Sequence, residues 1–206
     1  MTRGGHDVES EVKEAVLPDG PAGGGSTRVL GYGSGIVFFL AGALLAIHET
    51  VWRQMETNLA AKAMFLFTGH TAYARPGFLI YLTNGRGIPV NAFLVTAECS
   101  VGYLVAGVLL ISGILCLAKG LQLKRIVSAA VLASAVLLAF NVLRLGIIGL
   151  FVDHFGTSVG FPIAHTYLGT FITIISTIVA GVTYALVVLK IRRKEALRSA
   201  GRVDEG

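Results

Sequence analysis

Long apolar stretches separated by polar segments dominate the pattern of this chain. Four of them lie at 29–47, 97–118, 126–152 and 166–189. Each is close to or above the roughly 20 residues that a helix needs to cross a bilayer. The pattern predicts an all-α polytopic membrane protein with about four transmembrane helices.

The basic residues beside these stretches predict how the helices are oriented. Lys119, Lys124 and Arg125 lie between the second and third stretches, and a further basic cluster follows the fourth. The connection 153–165 contains neither Lys nor Arg. Because positively charged loops stay in the cytoplasm, both termini are predicted to be cytoplasmic. Segments 48–96 and 153–165 are then extracytoplasmic.

The extracytoplasmic segment 48–96 carries two further patterns. Residues 49–64 predict a short amphipathic helix on the outer interface. Two apolar runs, 78–82 and 88–95, flank Asn84-Gly85-Arg86-Gly87 and predict a β-hairpin that leads into Cys99.

Composition agrees with a membrane protein of one domain. The chain is 54% hydrophobic and 14% charged, against about 25% charged in soluble domains. Residues 1–28 are polar and glycine-rich and predict a disordered cytoplasmic tail. Residues 29–189 then form the transmembrane catalytic domain, and 190–206 a basic cytoplasmic tail. The net charge of +5 lies largely beside the apolar stretches, which indicates lipid head groups and no nucleic acid.

An arginine inside the third apolar stretch is the most informative polar residue. Burying a charge in a membrane costs several kcal/mol, so Arg144 is expected to face the bundle interior with a partner. Asn141 lies three residues earlier on the same helix face. Arg144 is either a structural arginine or, as the functional interpretation has it, the stabiliser of an anion.

Two further residues are predicted to meet Arg144 at the outer membrane face. Cys99 opens the second stretch, and His165 stands at the start of the fourth. A thiol with a nearby base is a nucleophile, and histidine can move a proton near neutral pH. Cys116 lies 17 residues further along the same predicted helix, so no disulfide with Cys99 is expected.

Other polar residues nearby are candidates for supporting roles. His154 is an alternative base, and Glu98, Asn141 and Asp153 are expected to orient the catalytic side chains. The sequence shows no metal-ligand spacing, phosphate-binding loop or nucleophile elbow, so no cofactor and no metal is predicted.

Three short blocks resemble the exosortase/archaeosortase family of integral membrane cysteine transpeptidases. They are Thr96-Ala97-Glu98-Cys99-Ser100, Asn141-Val142-Leu143-Arg144-Leu145 and His165-Thr166-Tyr167-Leu168-Gly169. Their order and membrane side agree with the family, and the resemblance covers roughly 79–189. The sequence departs from it at Val101, where the family commonly has Gly, at the acidic Glu98, and in having only four predicted spans.

The resemblance implies an enzyme of the plasma membrane with its active site on the extracytoplasmic face. Its partners would be secreted proteins that end in a short motif, a transmembrane helix and a basic cluster. Cys99 would cut at the motif through a thioester, His165 would act as base and acid, and Arg144 would stabilise the oxyanion. The cleaved protein would pass to an envelope or lipid acceptor.

Two other hypotheses fit parts of the sequence. In the first, the chain is a non-catalytic membrane subunit whose Arg144 pairs with an acidic residue of a partner helix. Cys99 would then be dispensable, while Arg144 would not. In the second, the chain is a small transporter, or binds haem or a quinone through Arg144 with His154 or His165. The predicted spans contain no interior histidine, which argues against haem.

Overall fold

The computed structural model of this protein describes residues 24–117 and 123–203. These residues are mostly helical, with one three-stranded antiparallel sheet. The helices are α1 (Gly24–Ile47), α2 (Glu49–Ala63), α3 (Phe65–Thr68), α4 (Gly102–Leu117), α5 (Leu123–Ile163) and α6 (Gly169–Val203). The strands are β1 (Ala72–Arg75), β2 (Leu79–Thr83) and β3 (Pro89–Leu94). A 3₁₀ turn spans Ala97–Cys99, and a π-helical segment spans Ala164–Leu168.

Helix α1 packs along α4, and their backbones approach closely at Gly42. A Cβ atom at this position would lie 3.1 Å from the Ala106 carbonyl oxygen, so a larger side chain would push the two helices apart. α1 begins at Gly24, before the span predicted at 29–47, and so includes the end of the tail predicted to be disordered. Residues 1–23 lie outside the described residues.

Helix α5 reverses direction at Gly156. This residue has φ 73° and ψ 167°, a conformation that glycine adopts readily because it has no Cβ. The Arg144 side chain bonds to Thr173, 29 residues later. In one straight helix these residues would be about 43 Å apart, so the chain must turn back between them. The connection predicted at 153–165 is helical on both sides of Gly156, and this one residue makes the reversal.

The predicted hairpin is confirmed as β2 and β3, and the sequence analysis missed β1. Asn84 begins the turn, and its Oδ1 accepts hydrogen bonds from the backbone N–H groups of Arg86 and Ile88. The left-handed position of this turn is Gly87, at φ 76°. β1 adds to β2 through four residue pairs and completes a sheet of order β1-β2-β3. The helix predicted at 49–64 is confirmed as α2.

The sheet covers the end of the helical bundle and shares one apolar core with it. This core fully buries Met64 between α2 and α3, Ile80 and Leu82 of β2, and Ile148 of α5. Cys99 belongs to the same cluster. The nucleophile candidate is therefore held by packing from the sheet and the bundle together.

One apolar helical stretch among the described residues, Leu123–Leu189, is long and apolar enough to cross a membrane. A second arises if Tyr32–Ile47 and Glu49–Thr68, bent by 75° where they meet, count as one span. Helix α4 is apolar but short, because the 3₁₀ turn and two extended residues take the start of the span predicted at 97–118.

Candidate active site

Cys99 lies at the end of a short turn between β3 and α4. The Cys99 and Ser100 N–H groups donate to the carbonyl oxygens of Thr96 and Ala97, which closes the 3₁₀ turn. The Cys99 side chain is buried, with 1% of its surface exposed. The Thr96 hydroxyl donates to Sγ over 3.6 Å. Cys99 and Cys116 are both free thiols, as the sequence predicts.

His165 is the close partner of this thiol. Its Nδ1 lies 3.2 Å from Cys99 Sγ, although 66 residues separate them in sequence. The ring stacks on Phe161, with centroids 5.1 Å apart and planes within 6°. His165 belongs to the π-helical segment, a kind of local widening that is often found at functional sites. The predicted pairing of Cys99 with His165 is present in the structure.

A carboxylate lies on the other side of the imidazole. Glu98 Oε2 is 3.5 Å from His165 Nε2, and 83% of the Glu98 side chain is exposed. An Nε2–H directed at this carboxylate leaves Nδ1 as the unprotonated nitrogen that faces the thiol. Cys99, His165 and Glu98 thus form a thiol–imidazole–carboxylate series in which the first and last members are adjacent in sequence.

Arg144 anchors the turn that carries the cysteine. Its Nη1 donates to the Glu98 carbonyl oxygen at 2.9 Å and to Thr173 Oγ1 at 3.1 Å. The residue is 5% exposed, and its buried Nε has no hydrogen-bond partner among the described residues. The guanidinium packs on Gly169, where a Cβ would lie 2.8 Å from Nε. The expected internal partners of Arg144 are therefore a backbone carbonyl and a hydroxyl.

A cavity of about 450 Å³ opens beside these residues. Polar groups from the Cys99 turn, α5, the π-helical segment and α6 line it, together with one aliphatic side chain. The lining residues are Glu98, Arg144, His165, Thr166, Thr170, Thr173 and Ile174. Cys99 is not in this lining, because its side chain is buried, but its sulfur contacts His165, which is in the lining. A carbonyl group bound in the cavity would meet the imidazole and the guanidinium.

The remaining predicted site residues lie further from the thiol. His154 Nδ1 is 3.0 Å from the Leu150 carbonyl oxygen and its ring packs beside Phe155, so this alternative base points elsewhere. Asp153 is half-buried and has no part in the cavity lining. Asn141 is buried one turn from Arg144, and neither atom of its amide has a partner among the described residues. The structure therefore does not bring these three to the thiol–imidazole pair.

Sequence reasoning missed several residues that shape the site. Thr166, Thr170 and Thr173 recur at spacings of four and three, and this period would have identified one hydroxyl-bearing helix face. Phe161 and His165 are four residues apart, a spacing that would have placed them side by side had 153–165 been predicted as helix. Within the described residues, no group of three or more His, Cys, Asp or Glu side chains could hold a metal ion.

Comparison with protein-family models, with curated proteins and with solved structures finds no match to this chain.

Proposed function

We propose that this chain is a membrane-embedded cysteine transpeptidase related to the exosortase/archaeosortase family. Its substrates are secreted proteins whose C-terminal tail carries a cleavage motif, an apolar helix and a basic cluster. The enzyme cuts at the motif on the extracytoplasmic face of the plasma membrane and transfers the new C-terminus to an envelope or lipid acceptor. The observation that carries the proposal is the 3.2 Å contact between Cys99 Sγ and His165 Nδ1.

The chemistry follows from that contact. Cys99 Sγ attacks the carbonyl carbon of the scissile peptide bond, and the thiol proton passes to His165 Nδ1. The C–N bond then breaks, and the same proton passes from His165 to the leaving amine. The acyl group stays on Sγ as a thioester. An acceptor amine, or water, attacks the same carbon, and its proton returns through His165 to the sulfur.

Charge that develops on the carbonyl oxygen needs a donor. Arg144 borders the cavity and has only one of its three nitrogens, Nη1, in the hydrogen bonds to the Glu98 carbonyl and Thr173. The rest of the guanidinium is therefore the proposed oxyanion stabiliser. Electrostatic stabilisation of this kind contributes about 10²–10³ in rate for one donor.

The apolar surface of the described helices supports a location within a bilayer. Large aliphatic side chains point outward from every long helix; Ile36, Ile111, Val131 and Ile178 are between 53 and 65% exposed. Extensive exposed apolar surface of this kind marks a site of contact with a membrane or with another protein. In the proposed arrangement, α1, α4, the part of α5 before Gly156 and α6 cross the membrane. α2 and the sheet then lie at its outer surface, and both termini are cytoplasmic.

The test compares the C-termini of surface proteins in cells that carry the wild-type enzyme or Cys99→Ala. Proteins with a motif-helix-basic tail should keep that tail only in the mutant, and Cys116→Ala, the matched control, should process normally. Normal processing by Cys99→Ser would contradict thiol catalysis. Equal maturation in all strains would favour the non-catalytic membrane subunit, for which Arg144 is needed and Cys99 is not.

A further inference from the structure

A buried carboxylate on α2 has no role in the chemistry described above. Glu56 is 2% exposed and lies on the buried face of α2, together with Thr57, Ala60 and Ala61. Its Oε1 accepts hydrogen bonds from Trp52 Nε1–H at 2.8 Å and from the Val101 backbone N–H at 3.2 Å. The Val101 contact crosses 45 residues of sequence and joins α2 to the residues that directly follow Cys99.

The hydrogen bond between Glu56 and Val101 lies between the start of α4 and the turn that carries Cys99. Val101 N–H is one of the donors at the start of α4 that have no partner within the helix, and Ser100 Oγ accepts the next one, from Gly102, at 3.2 Å. On the other side of Cys99, Arg144 Nη1 binds the Glu98 carbonyl oxygen. The backbone that carries the thiol is thus held by the Arg144 side chain one residue before Cys99 and by the Glu56 side chain two residues after it.

We infer that Glu56 is a positioning residue that holds the Cys99 turn so that Sγ stays within reach of His165 Nδ1. Glu56 does not touch the reacting atoms. Its relevance to transpeptidation rests on the proposed function, whereas its effect on the thiol–imidazole pair does not.

The free-energy cost of burying the Glu56 carboxyl group argues against a role for Glu56 in packing alone. Glu56 Oε2 is buried without a partner among the described residues, beside a cavity of about 310 Å³ lined mainly by α2. Burial raises the Glu56 pKa above its usual value of 4.5, and hydrogen bonds from Ser100, Trp52 and Val101 only oppose that rise. An apolar side chain of similar size would avoid this cost and fill the space equally well. It could not accept the Val101 hydrogen bond.

The experiment is a double-mutant cycle on the reaction of Cys99 with iodoacetamide, in the purified full-length chain. A Cys116→Ser background leaves Cys99 as the only thiol. With Glu56 present, His165→Ala should lower the alkylation rate at least about tenfold, because the imidazole takes the thiol proton. In the Glu56→Ala background, the same His165→Ala change should alter the rate by less than about threefold. Each ratio is taken within one background, so a change in reagent access cancels.

Two variants distinguish a specific effect of Glu56 on the Cys99 turn from a general loss of structure in α2. Glu56→Gln keeps an oxygen acceptor and should retain the tenfold effect of His165→Ala. Glu49→Ala removes the other buried carboxylate of α2, which pairs with Arg53 and does not contact the turn, and should also retain it. The inference would be overturned if His165→Ala lowered the alkylation rate by the same factor with Glu56 intact and in the Glu56→Ala background. It would also be overturned if the Glu56→Gln variant behaved like Glu56→Ala. These outcomes do not depend on whether any protein tail is processed.

Discussion

Adding one methyl group at Gly169 tests whether the exact position of the Arg144 guanidinium matters. Gly169 begins α6, and its missing Cβ is what allows the guanidinium to lie against the helix. A Cβ there would be 2.8 Å from Arg144 Nε and 3.1 Å from Nη2, where ordinary contact begins at 3.4 Å. The guanidinium must therefore retreat by about 0.6 Å, or α6 must move.

A displacement of this size is large compared with the range of distances over which the two hydrogen bonds of Arg144 Nη1 can persist. Nη1 is 2.9 Å from the Glu98 carbonyl oxygen and 3.1 Å from Thr173 Oγ1. A shift of about 0.6 Å along these bonds takes the Glu98 bond to the edge of hydrogen-bonding distance and the Thr173 bond beyond it. Hydrogen bonds to charged groups contribute about 1.5–3 kcal/mol each. A misplacement of about 1 Å can cost roughly a hundredfold in rate. We expect Gly169→Ala to reduce processing by about one to two orders of magnitude.

The assay measures the fraction of tailed surface protein that matures, by mass spectrometry of C-termini, together with thermal unfolding of each purified variant. Gly181→Ala is the matched control, since it lies on the same helix with no heavy atom within 4 Å of the added Cβ. It should process normally. Both alanines gain helix propensity of at most about 1 kcal/mol, so neither variant should fail to fold for lack of helix.

A Gly169→Ala enzyme that folds and processes at the wild-type rate would contradict the claim that the position of the Arg144 guanidinium is needed for processing. Arg144 would then not need its observed position, and its assignment as oxyanion stabiliser would fall with it. A Gly181→Ala variant with the same defect would instead show that α6 itself tolerates no added volume.

Three further predictions test neighbouring contacts. Arg144→Lys should lose about 10²-fold in processing, because an ammonium cannot reproduce the planar fork between the turn and α6. Glu98→Gln should lower processing by only about fivefold or less, because an exposed ion pair contributes little. For Glu56, the raised pKa means that the folded state holds the proton more tightly than the unfolded state. Its stabilising contribution is complete below the unfolded value of 4.5 and is lost as pH rises through the folded value, so the unfolding free energy of wild type relative to Glu56→Gln should fall from acid to neutral pH.

Elements with a strong local pattern were predicted well from the sequence. The hairpin follows from apolar runs around Asn84, and α2 follows from its amphipathic period. Elements that depend on distant partners were not. β1 is four residues long and exists because β2 offers it an edge. The helical structure at 153–163 is not apparent from the sequence, because this segment lies between two apolar stretches and its reversal is made by Gly156 alone.

In the candidate site, too, the residue types have a local signal in the sequence, whereas their geometry depends on distant parts of the chain. Cys99, Arg144 and His165 were identifiable because a thiol, a charge and an imidazole are rare beside apolar stretches. Their geometry was not identifiable, because the 3.2 Å pair depends on a reversal at Gly156 and a π-helical segment that no local signal announces. Glu56 was missed because an acidic residue on an amphipathic helix normally faces water.

Arg144 shows that the identity of a residue is not enough to assign its role in a mechanism. The sequence assigns it an anion, yet its shortest bond is to the backbone carbonyl of Glu98. One side chain therefore fixes the turn that carries the nucleophile and also borders the cavity where the oxyanion would form. Loss of activity in an Arg144 variant cannot by itself distinguish these two effects. Glu56→Ala loosens the turn without touching the guanidinium, whereas Gly169→Ala displaces the guanidinium and weakens its bond to the turn. A processing defect of Gly169→Ala that exceeds the defect of Glu56→Ala therefore measures the contribution of the guanidinium beyond holding the turn.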